Sequence, residues 1–232
     1  MLFDSPETEF KSPVTPLAFF DLDLTITDAD TDWLWAKWRA GHSLKGWLEL
    51  AIFTPMYRTY RRGMLDVKSL IWYQRWRVGR IDPMVLRAQA LRFFIEKGEG
   101  HIFREAIHLI QAQKEMGSRV VMITAQQDII ASPFAQRLGM DDLIASHLTI
   151  SNGKFGAPVT PYCYREGKLY WAIKYAEGLK LKLEECAFYS DSINDLPLLK
   201  AVGHPVVVNP DPTLRIEAHK LRWPTIFYAE QS

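Results

Sequence analysis

The chain has 232 residues, with 28 Lys and Arg against 27 Asp and Glu, for a formal net charge of +1. That length allows one large domain, or one domain with a small companion, and a near-neutral balance argues against a general nucleic-acid binder, which carries a basic excess. Two cysteines, Cys163 and Cys186, make neither a disulfide framework nor a zinc pattern; they read as reduced thiols and place the chain in a cytoplasm.

Met1 to Pro16 is acidic and polar with three prolines. It lacks the basic start and apolar core of a signal peptide and reads as a loose lead-in. The apolar run Leu17 to Phe20 then stops at Asp21 and Asp23, followed by the hydroxyl of Thr25. A short apolar run closed by polar residues predicts a buried strand. Acids at its carboxyl end lie where open α/β sheets keep their ligands, and the i, i+2 spacing lets both face one centre.

From about Asp30 to Glu99 the chain reads as helices. Six of the eight tryptophans fall between Trp33 and Trp76, interleaved with Arg58, Arg61, Arg62, Arg75 and Arg77. Most of these predict a packed layer with arginine stems lying across indole rings, leaving a few arginines to bind a substrate anion. The longest apolar stretch, Leu44 to Met56, is broken by Lys45, Glu49 and Pro55 and is too short and charged to span a bilayer. Its amphipathic part, Leu44 to Phe53, precedes the basic Arg58, Arg61 and Arg62 and could meet an anionic membrane or an acyl chain; a helix buried on its neighbours explains the same pattern and is the reading taken, so no stable membrane association is expected.

Beyond the helical block, strands and helices alternate. Helices are expected over His101 to Met116, Gln127 to Leu138, Lys168 to Leu179, Asp195 to Ala201 and Pro212 to Lys220. Strands are expected at Arg119 to Ile123, Ile144 to His147, Cys186 to Ser190, Pro205 to Val208 and Thr225 to Tyr228. Asn152-Gly153 between apolar residues signals a rim hairpin within Ile150 to Pro158. This alternation predicts an α/β fold, a doubly wound, mainly parallel, Rossmann-like sheet. The helical block after the first strand is too long for a crossover and is expected to form its own layer. The expected division is an α/β core of residues 1–29 and 101–232 with a helical cap of residues 30–100.

Three of the predicted strands end in polar residues: Asp21 and Asp23, Thr124, and Asp191 with Asp195 four residues on. Lys168 opens a helix after Glu166-Gly167. Each alone is equally a turn or cap residue; Thr124 in particular reads as the start of a helix. Their order is far more specific. Through Phe-Phe-Asp-Leu-Asp-Leu-Thr, Met-Ile-Thr-Ala, Arg-Glu-Gly-Lys and Tyr-Ser-Asp-Ser-Ile-Asn-Asp-Leu-Pro-Leu-Leu, the chain resembles the haloacid-dehalogenase superfamily, phosphoserine-phosphatase-like branch, from Ala18 to about Leu214. Leu24 departs from a pattern in which many members carry Gly, Ser or Asn.

The resemblance implies a phosphoric monoester hydrolase working through an aspartyl-phosphate, with the helical insertion covering the active site. Asp21 is then the nucleophile and Asp23 the acid and base, its pKa raised by neighbouring carboxylates. Thr124 and the amide of Ala125 bind phosphate oxygens, and Lys168 neutralises phosphate as a point charge. Mg²⁺ is the expected cofactor, with Asp21, Asp23, Asp191 and Asp195 as its acids, the Asp23 carbonyl completing the shell and Asn194 orienting the acids. Two carboxylates ~4 Å apart repel by about 4 kcal/mol at an effective dielectric near 20, so converging acids call for a divalent ion and Lys168. Asp30 is either a helix N-cap or a carboxylate for a substrate ammonium.

The expected partner is a small phosphorylated metabolite, either an amino acid phosphate such as phosphoserine or an amino alcohol phosphate such as histidinol phosphate. A lipid-derived phosphate is the alternative among enzymes. A noncatalytic phospho-ligand binding protein or a receiver-like signalling protein are the alternatives outside them. The six histidines show no metal-ligand spacing, and the sequence does not indicate the oligomeric state.

Overall fold

A computed structural model describes residues 12–61, 64–79 and 81–228. Most of the lead-in Met1 to Pro16, Arg62 and the side chain of Arg61 lie outside the described residues. The chain runs β1 (Leu17–Phe20), four helices α1 (Thr31–Ala40), α2 (Leu44–Arg61), α3 (Val67–Val78) and α4 (Pro83–Phe93), then α5 (Arg104–Glu115), β2 (Arg119–Gln127), α6 (Asp128–Arg137) and β3 (Asp142–Ser146). A ribbon of β4 (Leu148–Ser151) and β5 (Lys154–Pro158) follows, then α7 (Glu166–Gly178), β6 (Cys186–Ser190), α8 (Leu196–Ala201), β7 (His204–Val208), α9 (Pro212–Leu221) and β8 (Thr225–Ile226).

The main sheet is parallel throughout, in the order β3-β2-β1-β6-β7-β8. Strand alternation sorts its side chains onto two faces. Ala18, Phe20, Val120, Met122, Ala187 and Tyr189 pack on one face, with Trp35, Phe93, Ile110 and Phe134 from α1, α4, α5 and α6. Leu17, Phe19, Val121, Ile123, Cys186 and Phe188 pack on the other, with Ala172, Leu198 and Leu214 from α7, α8 and α9. Helices therefore cover both faces, as the doubly wound reading requires. The chain builds outward from β1 on one side through β2 and β3, then on the other through β6, β7 and β8. The carboxyl ends of β1 and β6 consequently meet at the switch point where such sheets bind ligands.

The four helices leave and rejoin the sheet through one neck. Thr27 bridges Ile102, the Phe103 amide donates to Ile26 O at 2.9 Å, and the Asp28 amide donates to His101 O at 2.9 Å. This neck draws His101 to Phe103 out of α5, which starts at Arg104 rather than at the expected His101.

Inside the insertion, Arg39 and Arg77 are buried with partners, while Arg58, Arg75, Arg87 and Arg92 are exposed. Arg39 on α1 sits 2.9 Å from Glu49 of α2 and donates to Gln89 of α4 at 2.9 Å, while its guanidinium lies over the Trp35 ring. The expectation that α2 is buried on its neighbours holds for one of its faces: Gly46, Glu49 and Phe53 are buried, but Leu44, Trp47 and Leu48 are exposed.

Removing one member of a buried ion pair strands its partner's charge. Glu49→Leu is expected to destabilise the protein by about 3–5 kcal/mol in urea denaturation, and Arg39→Met combined with Glu49→Leu to recover most of that loss. A neutral Glu49→Leu variant would show that the pair does not tie the helices.

Candidate active site

The parallel register sets the site. Phe20 is level with both Met122 and Tyr189, so the first residues beyond β1 lie beside Thr124 on one side and Ser190 and Asp191 on the other. The Asp21 amide donates to Tyr189 O at 3.0 Å, extending the ladder to the aspartate itself. Leu24 then takes a left-handed backbone, φ 59°, a region where Gly or Asn costs least. This accounts for the residues favoured there and turns the chain so that the Thr25 hydroxyl accepts the Asp191 amide at 2.9 Å.

Lys168 enters from the first turn of α7. A Cβ on the preceding Gly167 would meet Tyr162 O at 1.8 Å, so only glycine lets the helix approach this closely. The Lys168 ammonium donates to Asp21 Oδ1 at 2.9 Å and to Asp195 Oδ2 at 2.8 Å, and all three groups are buried. Burial opposes its charge, but Asp195 and Asp21 outweigh that and raise its pKa. Ser190 Oγ donates to the same Asp195 oxygen at 2.7 Å and accepts the Ser192 amide at 3.2 Å. Asn194 accepts from Tyr164 at 2.9 Å and from Arg165 at 3.2 Å.

Asp23 faces the helical insertion. Its Oδ1 accepts the Thr31 amide, at the start of α1, at 2.6 Å. Burial pushes its pKa up to about 8, the Asp30 charge adds to this, and the Thr31 hydrogen bond pulls the other way. Among neighbouring carboxylates, Asp30 and then Asp32 raise it most. Asp21 is raised as well, chiefly by burial and against the pull of Lys168. Asp30 is the N-cap of α1, accepting the Trp33 amide at 2.9 Å, and it also lines the cavity in front of Asp23.

That cavity measures about 20 Å³, room for about one water. Asp23, Asp30 and Asp32 form one wall, Phe53, Met56, Leu65 and Leu70 another, and Ala125 with Gln126 the floor. That space is too small for a phosphomonoester with the insertion placed as it is here. Arg77, fully buried on α3, donates to Asp32 at 2.6 Å and to Gln74 at 2.5 Å, and lies 3.5 Å from Gln126.

Thr124 does not begin a helix as expected. β2 continues to Gln127, and its pairing with β3 shifts register between Thr124 and Gln127. Such a bulge re-aims the backbone, carrying Ala125 and Gln126 toward the cavity. The buried Thr124 hydroxyl accepts the Gln126 amide at 3.0 Å, and the Gln126 side chain donates to Thr31 at 2.8 Å.

The four acids expected around a cation are not gathered as one cage. Asp195 Oδ2 is held by Lys168 and Ser190, Asp23 faces α1, and among the described residues no group of three or more His, Cys, Asp or Glu side chains converges on a point that could hold a metal. The donors present at the switch point are hard carboxylate oxygens of Asp21 and Asp191. That set suits Mg²⁺, which takes one or two carboxylates and keeps several waters. Sequence reasoning missed Ser190, Gln126 and the Asp32–Arg77 pair. The hydroxyl immediately before Asp191 was a readable signal for the first; the other two depend on how the insertion lies over β2.

Comparison with known proteins agrees with this geometry. Residues 18–200 match the family of haloacid dehalogenase-like hydrolases. A histidinol-phosphatase from Neisseria meningitidis is 31% identical over 217 residues, covering 90% of this chain and 97% of its own. Phosphoserine phosphatase SerB1 of Mycobacterium tuberculosis is 34% identical, covering 90% and 70%. A probable phosphatase of the same organism is 42% identical over 128 residues, and this chain spans less than half, 45%, of its length. A Bordetella pertussis structure of unknown function superposes with a TM-score of 0.82 at 28% identity, covering 90% of this chain and 97% of that one. A substrate-bound phosphoserine phosphatase shares the fold, with a TM-score of 0.62 at 20% identity over 91% and 92% of the two chains. The chain belongs to the haloacid dehalogenase-like hydrolases, in the phosphoserine-phosphatase-like branch, a family whose phosphatases imply a divalent metal.

Proposed function

We propose that this phosphatase hydrolyses an amino alcohol phosphate of the histidinol phosphate type, with Mg²⁺, through phosphorylated Asp21, residues 30–100 acting as a cap over a core of residues 1–29 and 101–232. One observation carries the choice of substrate: the cavity lining holds three acids and no arginine, and Arg77, which reaches one of those acids, is already paired with it. A substrate carboxylate about 4 Å from an ionised Asp30 meets a repulsion of about 4 kcal/mol at an effective dielectric near 20. A substrate ammonium gains by a similar amount. The apolar wall of Phe53, Met56, Leu65 and Leu70 suits a ring-bearing side chain. The near full-length histidinol-phosphatase relative supports the same choice. Buried, unpaired Cys163 and Cys186 are consistent with a cytoplasmic setting.

The residues divide the chemistry. Asp21 attacks phosphorus and the ester oxygen departs, taking a proton from Asp23, whose raised pKa keeps it protonated near neutrality. Lys168 holds Asp21 in line and balances the phosphoryl charge. Asp23 then removes a proton from the water that attacks the phosphoryl group on Asp21, which returns to a carboxylate. The bulge at Ala125 and Gln126, with Thr124, receives phosphoryl oxygens. When bound at Asp21, Asp191 and the Asp23 carbonyl, Mg²⁺ supplies charge neutralisation at the phosphate.

Phosphate release with Mg²⁺ is expected to give kcat/KM for histidinol phosphate at least about tenfold above that for phosphoserine. Activity should vanish with chelator and fall at least about a thousandfold in Asp21→Asn. Preference for phosphoserine would reassign the acidic wall; an active Asp21→Asn protein, free of deamidation, would remove Asp21 from the reaction.

A further expectation concerns pH. Asp23 titrates near 3.8 when unfolded and near 8 in the folded metal-free protein. Between those values the folded state keeps a proton that the unfolded state has lost, so stability falls as pH rises. Thermal melts of metal-free protein should show that decline, and Asp23→Asn should make it shallower, leaving the part contributed by Asp21, whose pKa is raised in the same direction. An identical slope in the variant would place the titration elsewhere.

A further inference from the structure

Helix α2 has an orientation its packing does not leave open. A Cβ on Gly46 would meet Arg39 O of α1 at 2.0 Å, so this side is pressed against α1, and Glu49 and Phe53 are buried on the same side. At 100° per residue, Leu44, Trp47, Leu48, Ala51 and Pro55 fall on one stripe of the opposite side, and all are exposed. Leu44 is 90% exposed, Trp47 61% and Leu48 55%. The outer face of a surface helix is normally polar; here it is an apolar strip about 16 Å long.

The charges around the strip have one sign. Lys45 flanks its start and Arg58 continues it one turn beyond Pro55, both exposed. The sole acid of α2, Glu49, is fully buried against Arg39. Two copies of this cationic stripe would repel each other, which disfavours self-association through it. An anionic surface with an apolar interior complements it on both counts. Leucines and a tryptophan beside Lys and Arg are what a helix lying in a membrane interface presents, and no described helix is long and apolar enough to cross one.

We propose that the outer face of α2 docks this phosphatase reversibly on an anionic phospholipid surface. The strip lies on the far side of α2 from Phe53, which lines the cavity in front of Asp23, so docking leaves the catalytic reading untouched and that reading can fail without it. The docked helix also supplies Phe53 and Met56 to the wall of that cavity.

The test is cosedimentation of the full chain with phosphatidylcholine vesicles containing about 30% phosphatidylglycerol, and with phosphatidylcholine alone. Wild type should pellet with the anionic vesicles only, and less at high salt. The Leu44→Ser, Trp47→Ser, Leu48→Ser triple variant should pellet at least about tenfold less, as should Lys45→Glu with Arg58→Glu, while both keep wild-type hydrolysis of an aryl phosphate in solution. Wild type remaining in the supernatant, equal pelleting with both vesicles, or full pelleting of the triple variant would each overturn the proposal. So would a wild-type dimer that the triple variant converts to monomer without any lipid binding, since the strip would then be a subunit interface.

Discussion

Lys168 brings one buried positive charge within 2.9 Å of Asp21 and 2.8 Å of Asp195, and the geometry of the switch point depends on it. Asp21 comes from the end of β1, Asp195 from the turn after β6, and the ammonium from α7. Without that charge, two buried carboxylates would face each other with nothing to offset their repulsion. The close approach that Gly167 permits is therefore an electrostatic requirement expressed as packing. The Lys168 charge also explains why Ser190 and Asp195 are ordered: the Ser190 hydroxyl holds the same oxygen that the ammonium holds.

The second set of acids answers to the helical insertion. Asp23 receives the first amide of α1, and Asp30 and Asp32 stand beside it, so the residue proposed to handle protons sits between core and insertion. Its raised pKa comes from burial and from the insertion's own acids. The buried Arg77 bond to Asp32 offsets part of that negative charge and leaves a net acidic wall. In the proposed function, proton transfer and substrate charge preference thus draw on the same few residues.

Much of this was legible in sequence because strand alternation and chain order are local signals. The runs at Leu17 to Phe20, Arg119 to Ile123 and Cys186 to Ser190 are strands, and the Asn152-Gly153 turn joins its own two-stranded ribbon. Asp21, Lys168 and Asp195 converge as their order suggested. Asp30 is the N-cap its position suggested, and it also lines the cavity in front of Asp23. The end of β2 was not legible: Thr124 looks like a cap residue, and only pairing with β3 extends the strand to Gln127 and bulges it, although the helix after it starts within a residue of its expected place. Nor was the side toward which Asp23 turns, because the Thr31 amide that claims it belongs to an element whose placement no local pattern encodes. The same limit left the outward side of α2 undecided between a buried and a surface-binding reading, because apolar residues lie on both sides of the helix and periodicity cannot tell inside from outside.

The central claim is that Asp21, held by Lys168, accepts the phosphoryl group. Acid quenching during turnover of a phosphorus-labelled substrate, followed by peptide mapping, tests it directly. The account predicts label on the peptide containing Asp21, absent in Asp21→Asn and retained longer in Asp23→Asn. Label on another side chain, or hydrolysis with no labelled peptide at any quench time, would contradict it.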